Sequence, residues 1–406
     1  MQKFKIISKN KRVILALGGE SAGNFSVFKD GVIYFSKDFG DLLNEQNFSK
    51  FKDDILNFLK ENEIRPDLIL SDLHPLFHTT LFAQKLAKKY KAKYIPVQHH
   101  LAHIFSAIGD QILTTKTYNL KPAIGIACDG TGFGFDEKIW GGEIFELKVK
   151  SKKLKVERIG HLENQVLIGG EMAIKEPARL IISIINKFPI SLPEMLRISK
   201  QAGNFQFPIK SQFSNIQNKK DLTYNLIKKH YSKNEFELLR NQFDQNFNCL
   251  ETSSTARVLD AVSVLLNFSK NERLSKHGPI DLLEKNSTKP YALKPIIEFN
   301  ENENIWILKT TPLFEYLIKN LHKDKSRLAT TAQKYIADGL LEITKNLQPT
   351  TYNLQPVFFA GGMANNKIIS STLESNGVYT NKKIPCGDAG LSFGQIFFFL
   401  LANPRN

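Results

Sequence analysis

Cysteine is scarce: Cys128, Cys249 and Cys386 are the only three in 406 residues, and no two of them form a CxxC pair. That argues against a zinc ribbon and against a disulfide framework, and it suits a reducing, cytoplasmic setting. Long hydrophobic runs are missing too. The late apolar run from Ile396 to Ala402 is far too short to span a membrane. The opening MQKFKIISKNKRVILALGG carries positive charge, but its apolar run is too short for a signal peptide. No segment is of low complexity. Acidic residues are outnumbered, 40 Asp and Glu against 55 Lys and Arg, for a net charge of +15. Such charge permits contact with RNA, acidic proteins or phosphorylated ligands. The basic residues are spread along the chain and not bunched into an arm, so a nucleic-acid partner is not expected, and neither is a membrane.

What is present reads as a soluble globular chain, 42% hydrophobic and 23% charged, long enough for two lobes with a core each. RVILALGG, NFSVFKDG and VIYFSKDF read as strands, with Lys29-Asp30-Gly31 as the turn between the last two. Residues 47–63 place Phe51, Ile55, Phe58 and Leu59 on one helical face. A short strand at Leu68–Leu70, a helix at about 79–90 and a strand at 93–96 follow. A second unit opens at AIGIACDGTGFG, and Trp140-Gly-Gly-Glu begins its return strand. Residues 170–250 read as mostly helical, with polar loops near 200–222. Helices fit Ser254–Phe268, with Val258, Ala261, Val262 and Leu265 on one face, and about 325–346. PVFFAGGMANN reads as strand, glycine turn, helix, and a Phe- and Leu-rich helix closes the chain. Both halves therefore alternate strands and helices, which predicts an α/β fold. Glycine turns fall where strands finish, at 129–132 and 361–362, the place where open α/β sheets gather ligands. Together they suggest two halves gripping a phosphate compound.

VQHHLAHIF packs three of the nine histidines into five residues. On a helix His99 and His103 share a face, one turn apart. Two imidazoles so placed can ligate one divalent metal, or they can simply cover a helix. A metal would need further ligands, and two aspartates are well placed: Asp129, ending a strand, and Asp388, at the start of the last helix. His74 and His78 are a second pair, but Pro75 between them breaks a helix, which favours structural or substrate-orienting roles.

VQHHLAHI, ACDGTGFGFDEKIWGGEIF, LIGGEMAIKEPARL, SSTARVLDAV, GGMANNKII and PCGDAGLSFGQ occur in that order, after LALGGESAGNFSVF, FSKDFGDL and PDLILSDLHPLFHTT. Over nearly its whole length the chain resembles the C-terminal, transferase part of the HypF family, the carbamoyltransferases of hydrogenase maturation. The resemblance implies a two-lobed fold of the actin/Hsp70/sugar-kinase type with a duplicated core. An N-terminal lobe would span 1–118, and a C-terminal lobe 119–406 with a helical insertion at about 170–290. It makes His99, His103, Asp129 and Asp388 ligands of iron or zinc. Thr131, Gly132, Gly361, Gly362 and Asn366 would cradle the phosphate and nucleotide of ATP or carbamoyl-adenylate. Asp260 and Glu284 would lie near the ribose. His74, Glu176 and Arg179 match motifs near the substrate, although Glu176 and Arg179 also have the spacing of an ordinary helical ion pair.

The activity implied is transfer of a carbamoyl group from its adenylate, with the C-terminal cysteine of a HypE-like partner as the expected acceptor. The acylphosphatase-like, zinc-finger and YrdC-like parts of the full-length family do not fit within these residues, so a separate YrdC-like protein is expected to form the adenylate. Some positions depart from the family's pattern. Ala22 stands where a lysine is favoured, Leu76 replaces an acid, Ala256-Arg257 replaces Gly-Arg, and the Glu-Gly pair near Lys276-His277-Gly278 is missing. Those departures leave two other expectations beside catalysis of this kind. One is a non-catalytic scaffold that binds a nucleotide or a partner, and the other is an O-carbamoyl or threonylcarbamoyl transferase of the same fold.

Overall fold

The computed structural model describes residues 1–116, 122–150, 153–189, 215–347 and 355–403. Near the N-terminus β1 (Gln2–Lys5), β2 (Ile14–Ala16), β3 (Ser26–Lys29), β4 (Val32–Phe35), β5 (Leu68–Asp72) and β6 (Lys93–Val97) form one sheet. Its order is β1-β4-β3-β2-β5-β6. Asp30 and Gly31 join β3 to β4 at φ of 50° and 74°, the positive values that a tight hairpin turn demands. The helix Glu45–Glu61 buries Phe51, Ile55 and Leu59 as one stripe, and the Asn44 side chain caps its first turn.

A second, nine-stranded sheet is built from β7 (Ala123–Phe133), β8 (Ile139–Lys150), β9 (Lys153–Leu162), β10 (Gln165–Ile168), β11 (Cys249–Thr252), β12 (Ile297–Asn300), β13 (Ile305–Leu308), β14 (Val357–Ala360) and β15 (Tyr379–Thr380). Its main path is β12-β13-β9-β8-β7-β14-β15, with β11 joined to β8 and β10 to β11. The duplication is visible in the pairing. β4-β3-β2 are successive antiparallel neighbours, and β5 and β6 then continue parallel to β2. β9-β8-β7 repeat the antiparallel set, and β14 and β15 continue parallel to β7. The fold is thus the two-lobed, actin-like arrangement.

In each half a helix follows the fifth strand of this repeat, and each lies against the other half's sheet. His99–Thr115, after β6, packs on β7 and β14, whereas Leu391–Ala402, after β15, packs on β2, β3 and β5. The two helices also pack on each other. One apolar cluster runs through this middle layer, from Ile14 and Leu70 through Ile104 and Phe393 to Ala127 and Phe358. This explains why neither helix shows a polar face over most of its length: every residue from His99 to Asp110 is buried, as is every residue from Leu391 to Phe397. Outer layers cover the remaining sheet faces. Glu45–Glu61 and His78–Tyr90 cover the first sheet, and Ala178–Asn186, Thr255–Leu265 and Lys325–Asn346 contribute to the core beyond the second.

Some expectations are corrected. The described part of 170–250 is mostly helical, as expected, with β11 starting at Cys249, but from Asn215 the polar loop placed near 200–222 gives way to the helix Asn215–Ile227; residues 190–214 lie outside the described residues. The expected lobe boundary at 118/119 also lies outside them. DGTG is not a free glycine turn. β7 continues through it, with a register shift between Cys128 and Gly132 that marks a bulge.

The crossing of the two middle helices depends on glycine. A Cβ on Gly394 would lie 1.8 Å from the carbonyl oxygen of Ala102, and one on Gly109 would lie 2.6 Å from the Phe397 ring. Gly394→Ala should therefore cost about 3 kcal/mol, read as a lower denaturation midpoint with unchanged slope. An unchanged midpoint would show that the helices can part at no cost.

Candidate metal centre

The crossing sets the positions of three of the four candidate ligands. His99 and His103 stand on the first turns of one middle helix, and Asp388 begins the short helical turn that leads into the other. Asp129 comes from the bulged part of β7. One ligand atom from each of the four lies within 4.8 Å of every other, and all four residues are buried. The Asp129 Oδ2 oxygen is 3.0 Å from His99 Nε2 and 3.1 Å from His103 Nε2, and the two nitrogens are 3.2 Å apart. Asp388 Oδ1 is 3.7 and 3.4 Å from the same nitrogens. Four N and O ligands at bond lengths of about 2.1 Å from a tetrahedral ion stand about 3.4 Å apart, so the residues present fit a divalent cation.

Three of the four are held from behind, while His103 Nδ1 is buried without a hydrogen-bond partner. His99 Nδ1 donates to Asp72 Oδ2 at 2.6 Å. A carboxylate can only accept, so the proton resides on Nδ1 and Nε2 is left facing the cluster. Asp129 Oδ1 accepts from the amides of Gly130 (2.7 Å) and Gly362 (3.3 Å). Asp388 Oδ2 accepts from Lys276 Nζ at 2.8 Å and from Ser21 Oγ. Asp388 Oδ1 has no hydrogen-bond partner. Farther back, Asp110 accepts from the Tyr379 hydroxyl and from the amides of Lys382, Lys383 and Ile384, tying the histidine helix to the segment that leads to Asp388.

The electrostatics follow from this crowding. Burial opposes charge on His99, yet Asp72, Asp129 and Asp388 outweigh it and hold its pKa well above the ordinary value. His103 is raised in the same way, burial being outweighed by Asp129 and Asp388. Burial pushes Asp129 up, but the two histidines prevail and hold it well below the usual carboxylate range. These are the marks of a pocket that favours positive charge between the four side chains. His100 differs: burial, then His99, brings its pKa down to about 3, and its Nδ1 accepts from Gln98 Nε2 at 3.0 Å.

The other candidates are spread more widely. Gly361 and Gly362 form the turn after β14, beside Asp129. Only glycine fits at 361, where φ is 101° and a Cβ would lie 2.2 Å from the Cys128 carbonyl oxygen. Their amides are already engaged, Gly361 with the Cys386 carbonyl (2.9 Å) and Gly362 with Asp129, so the turn supports the ligands and is not a free phosphate cradle. Thr131 is exposed, and Gly132 packs on the His100 ring. The Asn366 side chain caps the helix Lys367–Glu374 by accepting from Ile369 N and donates to Gln333, so each of its polar atoms already has a partner. Glu284 accepts from Lys367 N at 3.1 Å beside that cap. Asp260 is buried, with Arg257 Nη2 at 2.7 Å and Arg273 Nε at 3.8 Å, neither in hydrogen-bonding geometry; burial outweighs both cations and raises its pKa. Glu176 pairs with Arg179 at 2.8 Å and accepts from the Tyr231 hydroxyl at 2.9 Å. It lines a separate cavity of about 670 Å³ that none of the four ligands reaches. His74 stacks on Phe77, its amide donates to Asp72, and burial lowers its pKa. The His78 amide donates to Glu20 Oε1, and its ring packs on Phe48.

Two supports escaped the sequence reading. Asp72 ends β5 as Asp129 stands near the end of the sheet's core register, so the rule that picked out Asp129 applied to it as well. Glu143, in WGGE, is fully buried. It accepts from the amides of Gly141 and Gly142, from Ser253 Oγ and from Arg158 Nε. Next along, Ser254 Oγ donates to the Gly130 carbonyl at 2.6 Å, so this network supports the bulge that carries Asp129. Burial opposes ionisation of Glu143, but Arg158 foremost among its neighbours brings its pKa to about 2. Its folded pKa lies below the unfolded value, so its contribution is present above about pH 4.5 and fades as pH falls toward 2. Glu143→Gln should remove about 2 kcal/mol of the stability change between pH 7 and pH 3. Urea unfolding at both pH values checks this, and an equal loss in both proteins would contradict it.

Comparison with known proteins places the chain among transferase domains. Residues 125–395 match the family model "Carbamoyltransferase, Kae1-like Domain, second subdomain", and residues 9–110 match the "HypF Kae1-like domain". A probable carbamoyltransferase HypF of Methanocaldococcus jannaschii is 33% identical over 99% of this chain and 48% of its own length. A carbamoyltransferase HypF homolog of Cupriavidus necator is 24% identical over 94% of this chain and 90% of its own length. The chain thus spans about half of the first relative and most of the second. Crystal structures of T. kodakarensis HypF (28% identity, TM-score 0.77, 98% of this chain and 49% of that one) and of full-length HypF in the phosphate- and nucleotide-bound form (24% identity, TM-score 0.79, 98% and 48%) share the fold.

Proposed function

The chain belongs to the HypF family of Kae1-like carbamoyltransferase domains, and on that premise we propose that it moves a carbamoyl group from carbamoyl-adenylate to an acceptor at the four-residue centre. The observation that carries this reading is the convergence of His99 Nε2, His103 Nε2, Asp129 Oδ2 and Asp388 Oδ1 in one buried cluster. Two imidazoles and two carboxylates suit zinc or iron(II). When bound, such an ion supplies positive charge to an oxygen of the carbamoyl group and makes its carbon more open to attack.

The protein's own residues do the positioning. Asp72 fixes the ring of His99 with Nε2 inward. Gly130 and Gly362 hold one oxygen of Asp129, which leaves the other toward the histidines. Burial of all four side chains keeps bulk water from competing with the substrate. The acceptor in this reading is a thiolate, the C-terminal cysteine of a HypE-like protein in [NiFe] hydrogenase maturation. The adenylate is supplied by a YrdC-like activity. No helix among the described residues is long and apolar enough to cross a membrane.

Stripped protein reloaded with zinc or iron(II) should take up a single ion and then bind AMP, measured by calorimetry. Asp388→Ala and His103→Ala should lose the ion. Asp72→Asn should weaken ion binding about 10- to 100-fold. Loaded protein should carbamoylate the C-terminal cysteine of a HypE-like protein when given carbamoyl-adenylate. Absence of ion uptake, or transfer that survives Asp388→Ala, would overturn the reading.

A further inference from the structure

Lys276 enters the centre from the loop before the helix Gly278–Lys285, in the C-terminal half. Its Nζ lies 2.8 Å from Asp388 Oδ2 and 2.8 Å from Ser21 Oγ, which comes from the loop after β2 in the other half. The side chain is 44% exposed although its tip touches a buried ligand, so it reaches inward from the cleft's mouth. Its loop lies against the glycine turn, where a Cβ on Gly362 would be 3.8 Å from the His277 ring. Arg273 Nη2 donates to the Lys276 carbonyl and fixes the loop.

The charges there call for an anion. Asp72, Asp129, Asp388 and Asp260 face Lys276, Arg273 and Arg257. A divalent ion in the centre turns that balance to net positive. Arg257 and Arg273 keep guanidinium nitrogens without hydrogen-bond partners, Arg257 being only 3% exposed. Backbone donors do not meet this need, because the amides of Gly130, Gly361 and Gly362 are already engaged. The Lys276 ammonium, more exposed than either guanidinium, is the donor nearest the mouth for an incoming phosphate oxygen.

Resting on the transferase reading above, we propose that Lys276 is the phosphate-binding residue of this site: it leaves Asp388 and Ser21 to hold the phosphate of the adenylate beside the metal ligands. Ser21 Oγ and Asp388 Oδ2 keep each other as partners when it moves, so the exchange strands no buried donor.

The test is calorimetry of AMP and of adenosine on zinc-loaded wild type, Lys276→Met and Lys276→Arg, with zinc content measured in each. The expected result is AMP binding weakened about 10- to 100-fold in Lys276→Met, with adenosine binding and zinc content unchanged and most of the AMP affinity regained in Lys276→Arg. Equal or tighter AMP binding by Lys276→Met overturns the proposal while leaving the transferase reading intact. So does a parallel loss of adenosine and zinc, which would make the lysine a clasp for Asp388. Wild-type protein that takes up zinc but binds neither AMP nor adenosine removes both.

Discussion

The helices His99–Thr115 and Leu391–Ala402 cross so closely that Gly394 meets the Ala102 carbonyl and Gly109 meets the rings of Phe393 and Phe397. That contact sets the distance between two histidines at the start of one helix and an aspartate at the start of the other. Each helix belongs by sequence to one half and by packing to the other half's sheet. Neither half therefore contains the centre, and neither completes its own middle layer. Asp110 adds a polar tie to the apolar one, since the helix that bears the histidines also holds the three amides that precede Asp388. The geometry of the centre and the joining of the halves rest on the same atoms.

Around that crossing the buried charges form a hierarchy. The four candidate ligands face one another, and a second set faces the backs of three: Asp72 on His99, glycine amides on Asp129, Lys276 and Ser21 on Asp388. A third set holds the backbone that bears them, Glu143 with Ser253 and then Ser254 with Gly130. Ionised groups taken out of water are costly unless each finds a partner. Here most partners are supplied in layers, and Asp388 Oδ1, which has no hydrogen bond, faces the histidine nitrogens.

Much of this was legible in the residues. Helical spacing put His99 and His103 on one face, and strand-end logic chose Asp129. The amphipathic stripe of Phe51, Ile55 and Leu59 marked its helix almost to the residue. That the four ligands meet came from the resemblance, because spacing along a chain says nothing of distance between halves. Other features were hidden for physical reasons. β9 alternates from Lys153 to Glu157, but Arg158 takes the next inner position and the register shift around Ile159 breaks the period. β10 and β11 are short and sit in a stretch otherwise rich in helix. The glycines at 361 and 362 were read as phosphate donors, and only the geometry shows their amides spent on Cys386 and Asp129. Asn366 likewise matched a nucleotide motif but serves as a helix cap, a role its residue type favours anywhere.

The departures from the family pattern bear on whether such a chain could be a scaffold alone. Leu76 is exposed, Ala22 follows Ser21 in the loop that Lys276 reaches, and Lys276 itself comes in from solvent. These three changes lie along the rim, whereas Ala256, standing in place of a glycine, is buried. The buried set is complete, down to Asp72 and the amides behind Asp129. Buried ion pairs and clusters often gain stability when apolar residues of similar size replace them. A chain released from ligand binding has no physical reason to keep two histidines and three aspartates out of water at its centre, whereas changes at the rim are nearly free. Interior charge of this kind with an altered rim fits a binding site better than a bare scaffold, and Lys276 adds a cation at its mouth.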